Sequence, residues 1–222
     1  WPGCWRTGVS VKQDSHAITV GRNDLLKTKQ ALLKFHTCNE LFPFMRKALV
    51  PSSEAFHEWF YDLLGSLFER WNDTSRFYFL AESTPENQLA DRVEDTGSAG
   101  QCLFSGENAE RLKYASPWLL EANPDSRLLK QLMSAPEQVG GIWGKQPIVV
   151  ICAAVSGQEL LDHLRRFTHV RTDNANEKGR TFFRFWESKI LPEYFRRTAH
   201  SPKNLPFFQS AGSPIEICYV DG

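Results

Sequence analysis

The chain has 222 residues, 41% hydrophobic and 23% charged, and its 26 basic residues balance 26 acidic ones. That length supports one large core or two small ones, and the balance excludes a whole-molecule field drawing it to nucleic acid or to an anionic membrane. The longest wholly apolar run, Ile148 to Val155, is far short of the roughly 20 residues a membrane-spanning helix needs, so no membrane insertion is expected. A chain that begins at Trp1 rather than Met reads as trimmed, and no secretory leader is visible in it. Cys4, Cys38, Cys102, Cys152 and Cys218 are odd in number and form no C-x-x-C pair. This argues against a disulfide framework and a zinc site, and fits a reducing cytoplasm. Cys152 in IVVICAA and Cys218 in PIEICYV read as small buried hydrophobes.

Residues 1–73 begin irregularly and then carry helical signals. Asp24 caps a predicted helix through Leu25, Leu26, Leu32 and Leu33. A clearer amphipathic helix follows Pro51, Ser52 and Ser53, with Phe56, Phe60, Leu63, Leu64, Leu67 and Trp71 on one face and an acidic first turn. From Arg76 onward short apolar runs alternate with helical segments, so the pattern predicts an α/β fold: a mixed sheet flanked by helices over residues 74–222, with the mainly helical region before it. Phe77 to Ala81 is a strand, Glu94 to Gln101 a polar loop with Gly97 and Gly100, and Ser116 to Ala122 a second strand. Asn123 and Pro124 then open a helix over Asp125 to Met133, with Leu128, Leu129 and Leu132 facing the sheet.

After the glycines at 140, 141 and 144, IVVICAA is continuous rather than alternating, as expected of a central strand covered on both faces. Ser156 and Glu159 form a capping box for a helix that buries Leu160, Leu161, Leu164 and Phe167 and turns Asp162, His163, Arg165 and Arg166 outward. Thr168 to Thr172 and Arg180 to Trp186 make a hairpin across DNANEKG. Phe183 and Phe185 lie on one face of its second strand, and Phe182, Arg184 and Trp186 on the other. Ile190, Leu191, Tyr194 and Phe195 mark one more helix, with Pro192 near its start.

No catalytic constellation emerges. FHEWF has His57 and Glu58 without the second histidine of a zinc protease, and GGIWG precedes its strand where a dinucleotide loop must follow one. There is no G-x-S-x-G elbow and no Walker loop. DNANEKG lacks the alternating oxygen ligands of a calcium site. The cluster His163, Arg165, Arg166 reads as a solvated helix end rather than an anion site, and the sequon Asn72-Asp73-Thr74 has no role in a reducing cytoplasm. The expectation is a protein that is not an enzyme and carries no cofactor or metal.

Phe77 to Glu82, the Leu103-Phe104 pair, Ser116 to Ala122, Trp143-Gly144, His163 to Phe167 and Phe183 to Ile190 occur in an order and spacing that resembles the effector-adaptor chaperones of bacterial type VI secretion. They match in turn that family's early strand, its LF motif, its A-P-Y-L-V-type strand, its W-G pair, its H-L-R-R-F segment and its F-R-F-Y-D-P-R-V-L segment. The resemblance covers about residues 76–220 and not the first 70. The chain departs from the pattern in the AEST ending of the early strand and in Trp186, Glu187 and Ser188 after F-R-F.

The resemblance implies a non-enzymatic cytoplasmic adaptor whose partners are a secreted effector, a toxin, and the spike protein VgrG, onto which the effector is loaded. Two other readings stay open: an immunity or other toxin-binding protein, and an enzyme with an unrecognised site. Neutralised toxicity would mark the former, and turnover abolished by a point change the latter. Since a carrier acts through surface, the candidate partner-binding residues are Trp1, Trp5, Arg165, Arg166 and Arg184, aromatic and arginine anchors of the kind that dominate interfaces.

Overall fold

The computed structural model describes residues 60–62, 64, 74–134, 139–142, 148–174, 177–187, 189–191, 193–194 and 206–220. The predicted helix after Asp24, His57, Trp143, Gly144 and most of the amphipathic helix before residue 73 lie outside the described residues. Of that amphipathic helix, 60–62 and 64 are helical, and Phe60 and Leu64 are buried.

In chain order the elements are β1 (Arg76–Glu82), α1 (Leu89–Thr96), β2 (Gly100–Cys102), α2 (Glu107–Arg111), β3 (Pro117–Glu121), α3 (Arg127–Leu132), β4 (Ile148–Ala153), α4 (Gly157–Arg165), β5 (His169–Asn174), β6 (Glu177–Phe182), β7 (Gln209–Ser210) and β8 (Ser213–Val220). Six strands form one sheet in the order β2-β3-β1-β4-β8-β7, and β5 and β6 form a separate two-stranded ribbon.

The α/β character predicted from the alternation holds, but the mixed sheet does not: among the described residues every pairing is antiparallel. The reason is that two of the helical connections skip a place, while β2 and β3, joined through α2, are antiparallel neighbours. β3 and β4, joined through α3, run in the same direction but flank β1, which is antiparallel to both. Likewise β1 and β2, joined through α1, flank β3. Crossover connections of this length are what parallel strands require, so the sequence carries the signature of βαβ units while the hydrogen-bonded neighbours come from elsewhere in the chain.

β4 lies inside the sheet between β1 and β8, and all six of its residues are buried, as its unbroken apolar run requires. The pleat divides β1 and β4 between two cores. Phe77, Phe79 and Ala81 with Ile148, Val150 and Cys152 pack under Leu89 and Val93 of α1, Leu128, Leu129 and Leu132 of α3, and Phe60 and Leu64. Tyr78, Leu80, Val149, Ile151 and Ala153 face Leu160, Leu161 and Leu164 of α4 together with Phe183, Phe185, Trp186, Leu191 and Phe207. The buried Tyr78 hydroxyl donates to the Val155 carbonyl at 2.6 Å. Cys152 and Cys218 are core residues as expected, and burial pushes the Cys152 thiol up to about 11.

The capping box of α4 forms as read: Ser156 Oγ accepts from the Glu159 N–H at 3.3 Å, and Glu159 Oε2 accepts from the Ser156 N–H at 2.9 Å. The cap of α3 is corrected. Asn123 accepts from the Asp125 N–H in a local turn, and Ser126 takes the capping position, accepting from the Leu129 N–H at 3.3 Å. The segment read as a loop from Glu94 to Gln101 contains the end of α1 and the start of β2. Gly97, in the left-handed region with φ 59°, stops the helix. At Gly100 an added Cβ would lie 2.6 Å from Leu120 Cδ2, so this edge strand approaches the core closely because it lacks a side chain there.

Candidate partner-binding site

The hairpin reaches further into DNANEKG than its turn residues suggested. Asn174 pairs with Glu177, and the ladder runs from there to His169 opposite Phe182. It also stops sooner. Phe183 donates from its backbone to the Thr168 carbonyl at 2.8 Å, and the chain then turns, with Glu187 donating to the Arg184 carbonyl at 3.0 Å. The alternation expected through Trp186 is therefore broken. Phe183, Phe185 and Trp186 are all buried, while Phe182 is 42% exposed. A turn lets adjacent aromatic residues enter one core where a strand would have sent them to opposite faces.

This turn carries Arg184 back to the end of β1. Its Nη2 lies 2.7 Å from both carboxylate oxygens of Glu82, and its Nε lies 2.5 Å from Glu187 Oε1, off the angle of a hydrogen bond. Glu82 is buried, and burial raises its pKa above the ordinary carboxylate value; Arg184 opposes the rise and Glu187 adds to it. The Trp186 indole N–H is buried beside the same carboxylate without reaching hydrogen-bond geometry, and the Arg184 guanidinium lies 5.8 Å from the Trp186 ring centre. Glu82 is not among the residues the sequence singles out for binding; it stands in AEST, where the chain departs from the early-strand pattern. Its placement directly after the run Phe77 to Ala81, at the end of β1, is the available signal.

A second knot lies alongside. Arg165 was expected to face outward, but its Nε donates to the Leu103 carbonyl at 2.9 Å and its Nη2 to the Cys102 carbonyl at 3.0 Å, while Nη1 reaches Asp162 at 3.2 Å. It fastens the Leu103-Phe104 segment to the end of α4, where the exposed ends of carbonyl dipoles favour a cation. His163 is likewise corrected: it is buried, its Nε2 is 3.0 Å from the Phe207 carbonyl, and its ring packs on Phe167 at 5.0 Å. Both reversals share a cause. Gln158, Glu159, Asp162 and Arg166 keep an exposed face on α4, but its two flanks are covered by segments 102–104 and 206–208, which a helical wheel cannot show.

Above these two knots sits an aromatic run. Phe104 lies 5.5 Å from Phe182 and 6.3 Å from Trp186, and Phe182 lies 5.4 Å from the exposed His169. On the other side of α4, a groove of 480 Å³ lies between the helix and the β7–β8 turn, lined by Asp162, His163, Arg166 and Ala211 among others. Of the candidate residues, Arg166 is exposed on this groove and Arg184 is partly exposed beside the aromatic run, whereas Arg165 is held by backbone carbonyls. Trp1 and Trp5 lie outside the described residues. No described helix is long and apolar enough to cross a membrane, and no group of metal-ligating side chains occurs among the described residues.

Four of the segments that carried the resemblance thus meet around one end of the sheet: Phe77 to Glu82, Leu103-Phe104, His163 to Phe167, and the stretch beginning at Phe183. No curated protein and no solved structure matches the chain. A family model, described as a domain of unknown function (DUF4123), matches residues 77–203, more than half of the chain. By that match the chain belongs to the DUF4123 family.

Proposed function

We propose that this protein is a cytoplasmic adaptor that binds a type VI secretion effector and helps load it onto the spike protein VgrG, acting through its surfaces rather than by catalysis. The observation that carries the reading is the family match over residues 77–203, which spans most of the segments whose order resembles the effector-adaptor chaperones. The geometry is consistent with a carrier. The two arginines at the motif junction are engaged within the chain, Arg165 on carbonyls and Arg184 on carboxylates, while aromatic and arginine surface is left beside them, the composition from which interface anchors are drawn.

The test is co-expression of the chain with the product of each flanking gene, followed by affinity capture and size exclusion. The expected result is a stable complex with a large effector and a second association with the spike protein. A chain that co-elutes with neither overturns the reading. Rescue of cells from a toxin without spike binding would replace it with an immunity protein.

A further inference from the structure

The groove of 480 Å³ between α4 and the β7–β8 turn falls inside the range of about 300–1,000 Å³ typical of small-ligand sites, and polar groups without partners among the described residues converge on it. His163 is buried, and its Nε2 lies 3.0 Å from the Phe207 carbonyl. A carbonyl oxygen can only accept, so Nε2 carries the proton. Burial favours the neutral ring, which leaves Nδ1 a bare acceptor to which no described residue donates. Ser210, 5% exposed, carries a hydroxyl that is likewise unpartnered. The side-chain atoms that are both sealed from solvent and unpartnered among the described residues are the indole nitrogens of Trp118 and Trp186 and the Nε of Arg184. His163 Nδ1 and Ser210 Oγ are not among them, so both reach solvent, and the groove is the opening that their residues line. Buried polar groups are almost always hydrogen-bonded, so two open positions on one cavity mark a place for the polar atoms of a ligand. Arg166 supplies the charge: it is exposed on the same groove and forms no ion pair among the described residues. The two acids on the rim are engaged. Glu159 Oε2 accepts from the Ser156 N–H at 2.9 Å and from its hydroxyl at 2.7 Å, and Asp162 accepts from Arg165 at 3.2 Å and from Gln158 at 3.0 Å. Phe167, half-buried and 5.0 Å from the His163 ring, forms an apolar wall.

We propose that this groove binds a small apolar carboxylate that carries an N–H beside its carboxyl group, as an N-acylated aromatic amino acid does. The carboxylate meets Arg166 and the Ser210 hydroxyl, the strongest pairing available to it. The N–H donates to His163 Nδ1, and the apolar group lies against Phe167. A free amino acid fits less well, because its ammonium group needs a carboxylate, and Glu159 and Asp162 are both taken. The end of a longer peptide carries the same groups, but a stable protein interface buries about 800 Å² on each partner, whereas the groove has the volume of a small-ligand site. The site stands whether or not the chain carries an effector.

Isothermal titration of the full chain with N-acetylphenylalanine is expected to give a dissociation constant below about 1 mM. The corresponding amide, which lacks the charge, and the N-methyl derivative, which lacks the donor, are each expected to bind at least about tenfold more weakly. Neither comparison depends on a variant folding. Arg166→Gln, at an exposed position, is expected to lower the affinity for the acid to that for the amide while leaving the unliganded melting temperature unchanged, whereas a merely structural role would move the melting temperature as well. The proposal is overturned if the acid binds no tighter than the amide, if N-methylation costs nothing, or if Arg166→Gln binds the acid as the parent does. An absence of binding up to about 10 mM also overturns it, and leaves water as the occupant of the groove. A phenylalanine-ended peptide that binds at least about tenfold tighter than N-acetylphenylalanine overturns the small ligand and makes the end of a partner's chain the occupant.

Discussion

Glu82 and Arg184 look like a matched pair, but they are unequal partners. The Glu82 side chain is 10% exposed and that of Arg184 40%, so removing one leaves a different orphan from removing the other. Arg184→Ala strands a carboxylate in the core, which costs about 3 kcal/mol near neutral pH. Glu82→Gln leaves a guanidinium that water and Glu187 can reach, for about 1 kcal/mol. Because burial already raises the Glu82 pKa, the penalty in Arg184→Ala shrinks as the pH falls and the carboxyl takes up a proton. Urea denaturation of both variants at pH 7 and pH 5 checks this, and equal losses at both pH values would contradict it. His163 gives the opposite pH dependence. Burial holds its pKa below the ordinary 6.5, so the unfolded chain binds a proton there before the folded one does. The stability associated with neutral His163 is complete above pH 6.5 and declines as the pH falls from there toward the folded value. Thermal melts between pH 5 and 7.5 are expected to show a steeper acid loss for the parent than for His163→Gln.

At the scale of single elements, what the sequence made legible was local. The strands at Phe77, Ser116 and Ile148 and the capping box at Ser156 follow from apolar runs and side-chain caps within a few residues, and all four stand in the fold. Readings that depended on what lies across from an element failed. His163 and Arg165 were assigned to solvent by helical periodicity, yet segments more than forty residues distant cover them. Phe183 to Trp186 were assigned to alternating faces, yet the strand had already ended at Phe182. Short elements also left no signature: β2 and β7 have three and two residues, too few for a period to show. The β7–β8 turn offers a direct test of local strain. Ala211 and Gly212 have φ of 49° and 80°, the positive pair of a tight hairpin turn, where asparagine or glycine is favoured. Ala211→Asn is expected to stabilise the protein by about 1 kcal/mol, read as a higher melting temperature with an unchanged denaturant slope. A lower melting temperature would mean that the alanine methyl, which borders the groove beside α4, packs better than the turn conformation suggests.

At the scale of the molecule, the alternation of strands and helices identified the mixture of elements but not the direction in which neighbouring strands run. Direction is set by which strand fills the gap that each crossover leaves, and β1 fills the one between β3 and β4. That arrangement also constrains the order of assembly. β1 leaves the ribosome before either of its neighbours, and β4 must wait for β8, some sixty residues later, before its second edge is covered. Such distant pairings are slow to form, and unpaired apolar edges are where nascent chains aggregate. During synthesis, the most apolar strand of this protein therefore passes through an interval in which one edge is a ready template for a neighbouring copy, and that interval closes only when residues 213–220 arrive.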